Sequence, residues 1–214
     1  TGSIEGLSAD TVMVMPRYEM FGNLPYSHVN YIEKLDGVEE VMYMDVLISD
    51  SIESMMEGVA YAVSPNFFKV YERFETTEEA ELALWNTPNA TIVGQLMADQ
   101  KGLRIGDRLN TESSSLNIDG TNNWSFEVVG FYRAKQIKGD ELGAIINWPA
   151  FDEARMNEKG TLSMIMVKAS SPEAGETISK QIDEQFINSS YATRSGPESM
   201  VAVEMAGEIA DVEL

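Results

Sequence analysis

Apolar and polar positions alternate along this chain with two different periods. Thr11-Val-Met-Val-Met15 is rich in β-formers and stops at Pro16, which predicts a first strand. Ser27 stands as an N-cap for a helix running to Leu35, with Val29, Ile32 and Leu35 on one face and Gly37 as its stop. From Val38 to Ile48 the period becomes two, with Val41, Tyr43 and Asp45 alternating with Met42, Met44 and Val46. The pattern returns late in the chain. Thr161 to Lys168 predicts a strand, and Ser171-Pro172 supplies an N-cap followed by proline at the first helical position. Ile178, Ile182 and Phe186 recur at i, i+4 and i+8, Asn188 stops that helix, and Tyr191-Ala-Thr193 reads as a short closing strand.

Two βαβ units separated by an insertion predict an α+β fold with a split βαβ/βαβ, ferredoxin-like subdomain formed by both chain ends, residues 10–50 and 160–196. The insertion, 51–159, reads as mainly β. Strands are expected over 58–63, 90–93, 108–110, 124–132 and 144–147, with short helices at 94–101 and 149–156. Ser64-Pro65 opens a short helix bearing Phe67, Phe68 and Tyr71, and Thr76 to Trp85 forms an acidic helix. In residues 197–214, Val201, Met205, Ile209 and Val212 fall at helical spacing. The last turn carries Glu208, Asp211 and Glu213, the wrong sign for a helix C-terminus, and it has no glycine cap. This helix is therefore expected to run on. The chain also begins at Thr1 rather than methionine, so it is expected to be a piece of a longer protein.

Charge narrows the partners. Fifteen basic against 35 acidic residues leave a net charge of −20, which repels nucleic acid and anionic surfaces. Absence of cysteine excludes disulfides, thiolate catalysis and Cys-ligated zinc, and the single histidine, His28, leaves little scope for imidazole chemistry. No apolar run approaches the roughly 20 residues of a membrane span.

The candidate chemistry is sparse. The stretch from Gly94 to Asp107, GQLMADQKGLRIGD, follows an apolar run and holds three glycines and Lys101. Its spacing is not that of a phosphate-binding loop, since the lysine precedes its glycine; it reads as a helix ended by Gly102 and a turn at Gly106-Asp107. The pairs Met13/Met15, Met42/Met44 and Met164/Met166 each put two thioethers on one strand face, which suits core packing better than copper. His28 has no nucleophile elbow to serve and reads as a packing or surface residue. Glu72, Glu75, Glu78, Glu79 and Glu81 read as a solvated face, and Asn117 to Asn123 lacks the order of an EF-hand loop. Asn89, Asn123 and Asn188 begin glycosylation triplets of a kind common by chance. No catalytic, cofactor-binding or metal-binding residue is predicted.

Several stretches, taken in order, carry a resemblance. They are Tyr31-Ile-Glu-Lys-Leu-Asp-Gly-Val-Glu-Glu-Val41, Ala62-Val-Ser-Pro-Asn-Phe-Phe68, and Ile92-Val-Gly-Gln-Leu-Met-Ala98 followed by Gly102-Leu-Arg-Ile-Gly-Asp107. Phe126-Glu-Val-Val-Gly-Phe131 and Ile182 to Ser189, with Thr193 and Glu198, complete the set. From about Val12 onwards the chain resembles the extracytoplasmic, periplasmic core domain of MacB/FtsX-type ABC-transporter permeases. It departs from that pattern in the acidic segment Glu72 to Trp85.

The resemblance implies a domain inserted between the first and second of four transmembrane helices. Its chain ends would build a porter-like part, 51–159 an inserted β-rich, sabre-like part, and 197–214 a helix leading towards a membrane span. It also implies a non-enzymatic role without cofactor, coupling ATP-driven helix motion to export, release or partner activation. The implied partners are a cytoplasmic ATP-binding subunit or domain, a second permease in a dimer, and a periplasmic adaptor; nucleic acid is not among them. Two other classes stay open at this stage: a free-standing periplasmic peptide- or lipid-binding or adaptor module using Phe67, Phe68 and Tyr71, and a carboxylate-based hydrolase.

Overall fold

A computed structural model describes residues 9–19, 22–48 and 59–201. In chain order the elements are β1 (Thr11–Pro16), β2 (Leu24–Pro25), α1 (Ser27–Ile32), β3 (Val38–Leu47), β4 (Val59–Val63), α2 (Phe67–Val70) and β5 (Phe74–Glu75). Then come α3 (Glu78–Asn86), β6 (Ala90–Gly94), α4 (Gln95–Lys101), β7 (Arg108–Glu112), β8 (Asn123–Ala134) and a single 3-10 turn, Lys138–Glu141. The last are β9 (Gly143–Asn147), α5 (Trp148–Ala154), β10 (Thr161–Leu162), β11 (Met164–Ala169), α6 (Pro172–Phe186) and β12 (Thr193–Pro197). The fold is α+β, as the change of period along the chain predicts. The chain divides into two compact units, Thr1–Tyr43 with Thr161–Leu214, and Met44–Gly160.

In the unit made from both ends, the strands lie in the order β12-β1-β11-β3. β1 runs antiparallel to both neighbours, with Met13 opposite Met166 on one side and Gly196 on the other. Each βαβ unit is thus split by a strand of the other. Helix α6 packs on β1, β11 and β12. Ser171 caps it by accepting from the Ala174 N–H, and Pro172 fits its first turn, where no N–H is needed. Its buried stripe of Gly175, Ile178, Ser179 and Ile182 meets a sheet whose Val12, Val14, Ile165 and Val167 are buried too. Each fully buried isoleucine there contributes roughly 1.5–3 kcal/mol of transfer free energy.

Several boundaries differ from the sequence reading. Tyr26 rather than Ser27 occupies the N-cap of α1, and the helix ends at Ile32 instead of Leu35. The expected strand 161–168 is two strands, because Thr161–Leu162 pairs with β2 in a separate two-stranded sheet. The closing strand begins at Thr193 rather than Tyr191, whose N–H is turned onto the Ser189 hydroxyl. The continuation of the C-terminal helix beyond residue 201 lies outside the described residues; residues 198–201 are helical.

In the unit of residues 44–160 the order is β4-β9-β6-β8-β5, with β7 also on β8. β4 and β9 are parallel, β9 and β6 antiparallel, and β6 and β8 parallel. Every residue of β6 is buried, which explains why its one polar side chain, Thr91, is uncharged and hydrogen-bonded. β8 instead alternates, burying Trp124, Phe126, Val128 and Tyr132 on one face.

The connector that follows β6 shows how its glycines are used. A Cβ on Gly94 would lie 2.1 Å from the Glu141 carbonyl oxygen, so the backbone of the 3-10 turn crosses where a side chain would be. Gly102 ends α4 in the left-handed region at φ +65 with nothing within 4 Å of a built Cβ. Beyond it, the Asp107 carboxylate accepts from the Arg104 N–H at 2.7 Å and closes the turn. Replacing Gly94 by alanine is expected to cost about 3 kcal/mol, because backbone must move. Replacing Gly102 should cost only about 1 kcal/mol, for backbone strain alone. Urea denaturation of the two variants tests that ranking.

Candidate functional site

A single carboxylate joins α6 to the edge of its sheet. Asp183 accepts from the Thr193 hydroxyl at 2.7 Å, from the Ser195 N–H at 3.0 Å and from the Ser195 hydroxyl at 2.7 Å. The helix supplies the register, since Asp183 follows directly on Ile182, which is buried against the sheet. β12 has a strand partner on one side only, so these bonds close the side that would otherwise be open. Arg17 adds a bond from Nη1 to the Thr193 carbonyl at 3.2 Å, and Pro197 has no N–H to offer. Beside this joint lies an open groove of about 850 Å³ lined by α6, β12 and residues adjoining them.

The unit of residues 44–160 carries a buried ion cluster. The Arg155 guanidinium, with its side chain only 1% exposed, donates from Nη1 to Asp45 Oδ2 at 2.9 Å. Its Nε and Nη2 both reach Asp152 Oδ1, at 2.8 and 2.5 Å. The same oxygen accepts from the Gly160 N–H at 2.8 Å, and the Phe151 ring lies 5.1 Å from the guanidinium carbon. β3, the end of α5 and the loop after it are therefore held by one cation. Sequence reasoning missed this cluster. Asp152 and Arg155 look like an ordinary exposed i,i+3 pair, and Asp45 is separated from Arg155 by 110 positions. The one visible signal was a charge at Asp45 inside the otherwise apolar stretch Val41–Leu47 of β3.

The candidates named from the sequence fall elsewhere. His28 is 4% exposed, its ring stacks on Phe186 with centroids 3.6 Å apart, and Nε2 lies 3.0 Å from the Tyr191 carbonyl oxygen, to which it donates. Burial holds its pKa below 6.5, against the smaller raising effect of that hydrogen bond. Met15, Met42, Met44 and Met166 are buried. Phe67 is buried in contact with Phe68, Tyr71 and Phe74, and Phe74 packs on Tyr132, so these rings are occupied with one another.

Glu78, Glu79 and Glu81 lie in the first turn of α3, where carboxylates suit the helix dipole, and Thr77 caps that helix from the Ala80 N–H. In the 117–123 loop, Asp119 Oδ1 accepts from the N–H and hydroxyl of Thr121, and those bonds lower its pKa. Thr91, the third residue of the Asn89 triplet, is buried and its hydroxyl donates to the Ile145 carbonyl. Among the described residues no three His, Cys, Asp or Glu side chains are grouped to hold a metal ion. No described helix is long and apolar enough to cross a membrane.

Two outcomes follow. Arg155→Met leaves the buried Asp45 and the half-buried Asp152 without their shared cation and is expected to cost about 3 kcal/mol; thermal unfolding measures it, and adding Asp45→Asn and Asp152→Asn should recover part of the loss. For His28, the unfolded chain takes up the proton first as pH falls below 6.5. Stability should therefore be full above that value and decline as pH drops through the lower folded pKa. Urea midpoints between about pH 7.5 and about pH 5 should fall in the parent chain and fall less in His28→Phe, which keeps the stack on Phe186.

Comparison with known proteins locates this architecture. Residues 1–185 match the MacB-like periplasmic core domain family. The fold is similar to the periplasmic region of MacB from Actinobacillus actinomycetemcomitans, with a TM-score of 0.63, 12% identity and 95% of each chain covered. It is also similar to the extracellular domain of the noncanonic ABC-type transporter YknZ from Gram-positive bacteria, with a TM-score of 0.57, 12% identity, and 87% of this chain and 99% of that one covered. No curated protein sequence matches. Fold, residue pattern and family model agree: the chain belongs to the MacB-like periplasmic core domain family, the extracytoplasmic domain of MacB-like ABC-transporter permeases.

Proposed function

We propose that this domain is a non-enzymatic transmitter of motion. Helix movements in the membrane, driven by ATP hydrolysis on the cytoplasmic side, enter the unit that carries both flanks and rearrange it relative to the unit of residues 44–160. The observation that carries this reading is the division of the chain into two compact units, one built from both of its ends. The chain passes between them twice, within β3 at Tyr43/Met44 and at Gly160/Thr161, and each unit has its own buried side chains. Relative motion is the default expectation for such units. In this reading the first unit is porter-like, the second sabre-like, and the stretch from Met200 to Val212 is the mechanical link to the second membrane span. The work delivered is export, release or partner activation, by a dimer of permeases acting with an ATP-binding subunit or domain and a periplasmic adaptor.

Residues 1–214 hold no cysteine, so labels placed here meet no competing thiol within the domain itself. In the full-length permease with its ATPase, spin labels at Thr177→Cys and Gln100→Cys sit one in each unit on exposed positions. The distance distribution is expected to move by several ångströms between the nucleotide-free and vanadate-trapped states. The same distribution in both states, in an enzyme that still hydrolyses ATP, overturns the proposal.

A further inference from the structure

Resting on that reading, in which both flanks lead to membrane spans, we propose that the groove beside α6 and β12 binds a zwitterionic phospholipid. Its volume, about 850 Å³, lies within the roughly 300–1,000 Å³ common for small-ligand sites. Pro172, Ile187, Pro197 and Met200 give it apolar lining. Ile187 and Met200 are 41% and 51% exposed, so two large apolar side chains stand in the groove with much of their surface uncovered. Ala9, just before β1, and Met200, just after β12, both line it, so both flanks of the chain depart from this groove. In that reading the groove lies where the described chain begins and ends, next along the chain to the segments that lead to both membrane spans.

The lining charges choose the headgroup. Arg17 and Lys180 stand among Glu176, Asp183 and Glu184, and Asp183 is already committed to β12. Lys180 Nζ is 3.0 Å from Glu176 Oε1, so cation and anion alternate within reach of one ligand. A dipolar headgroup meets both signs: its phosphate takes Lys180 and Arg17, and its ammonium takes Glu176 and Glu184. A purely anionic headgroup meets the same carboxylates, on a chain of net charge −20, with nothing to offer them. An extended peptide would dock by adding a strand to β12. That route is obstructed, because the Ser195 N–H is held by Asp183 and Pro197 has none.

The test uses the 214-residue chain with isotope-labelled methionine methyl groups. Monomeric dihexanoyl phosphatidylethanolamine is the probe, and the Met200 signal is assigned with Met200→Leu. A saturable shift of Met200 is expected, while the signal of Met97, which belongs to the other unit, stays in place. Ile187→Asn and Lys180→Glu should each weaken binding about fivefold or more. Lys180 is exposed, so its variant reports even where Ile187→Asn does not fold. Dihexanoyl phosphatidylglycerol should bind more weakly by a similar factor.

Absence of saturation, an equal response to the anionic lipid, a shift spread to Met97, or tighter occupation of the groove by an extended apolar peptide each overturns the assignment. The titration needs neither nucleotide nor membrane, so its failure leaves the spin-label distances untouched. A fixed distance there with lipid bound here would remove the transmission reading alone.

Discussion

A carboxylate on a helix stands where a further strand would otherwise add. Asp183 takes the Ser195 N–H and two hydroxyls at the edge of the end-built sheet, and what is proposed for that unit depends on it. An open strand edge invites pairing with another chain. Here the helix that covers one face of the sheet also reaches its edge and takes the Ser195 N–H. Charge-assisted bonds of this kind are stronger than neutral ones, so α6 and β12 are expected to move as one body. A helix joined to an edge strand, which in turn leads to a chain end, is a suitable element for receiving force. The bonds that obstruct strand addition at this edge are the same ones that tie α6 to β12.

Arg155 plays the corresponding part in the other unit by opposite means. A buried cation between two carboxylates adds little net stability compared with apolar packing of the same volume, because desolvation offsets most of the attraction. It is expected to favour one register, because Asp45, Asp152 and the Gly160 N–H are satisfied together in one arrangement of β3, α5 and the loop after α5. A slip of the strand or the loop would leave buried charge without a partner. This matters most near Gly160, where the chain leaves one unit for the other.

Which parts of this were legible in the sequence follows from the range of the interactions. β8 and α6 were readable because a strand with one covered face, and a helix lying on a sheet, print their periods directly. β2 and β10 were not. Each is two residues long and exists through the other, so no local pattern encodes them. The same holds at single residues. The role of Gly102 as a left-handed stop was plain from its place after a helix, because that constraint is local. Gly94, eight residues earlier in the same connector, looked equally ordinary, yet its constraint comes from the Glu141 backbone, far along the chain. Asp45 and Asp183 belong with Gly94: their types are common and their partners distant. The groove was invisible for the same reason, since its lining comes from chain segments near both ends.

The acidity of the chain acquires a different meaning once the units are separated. As a bulk number, −20 argues against partners that are themselves anionic. Locally, the groove beside α6 is one place where cations stand among carboxylates beside uncovered apolar side chains. A domain working close to a bilayer gains from general repulsion, since anionic headgroups do not adsorb over its surface and impede motion. It would then need one place where lipid is accepted on specific terms. A groove at the roots of both flanks, with its strand edge already closed, answers that need: bound lipid there would change the surface on which α6 and β12 move. Transmission and lipid binding would in that case share the same stiff element, through the same aspartate.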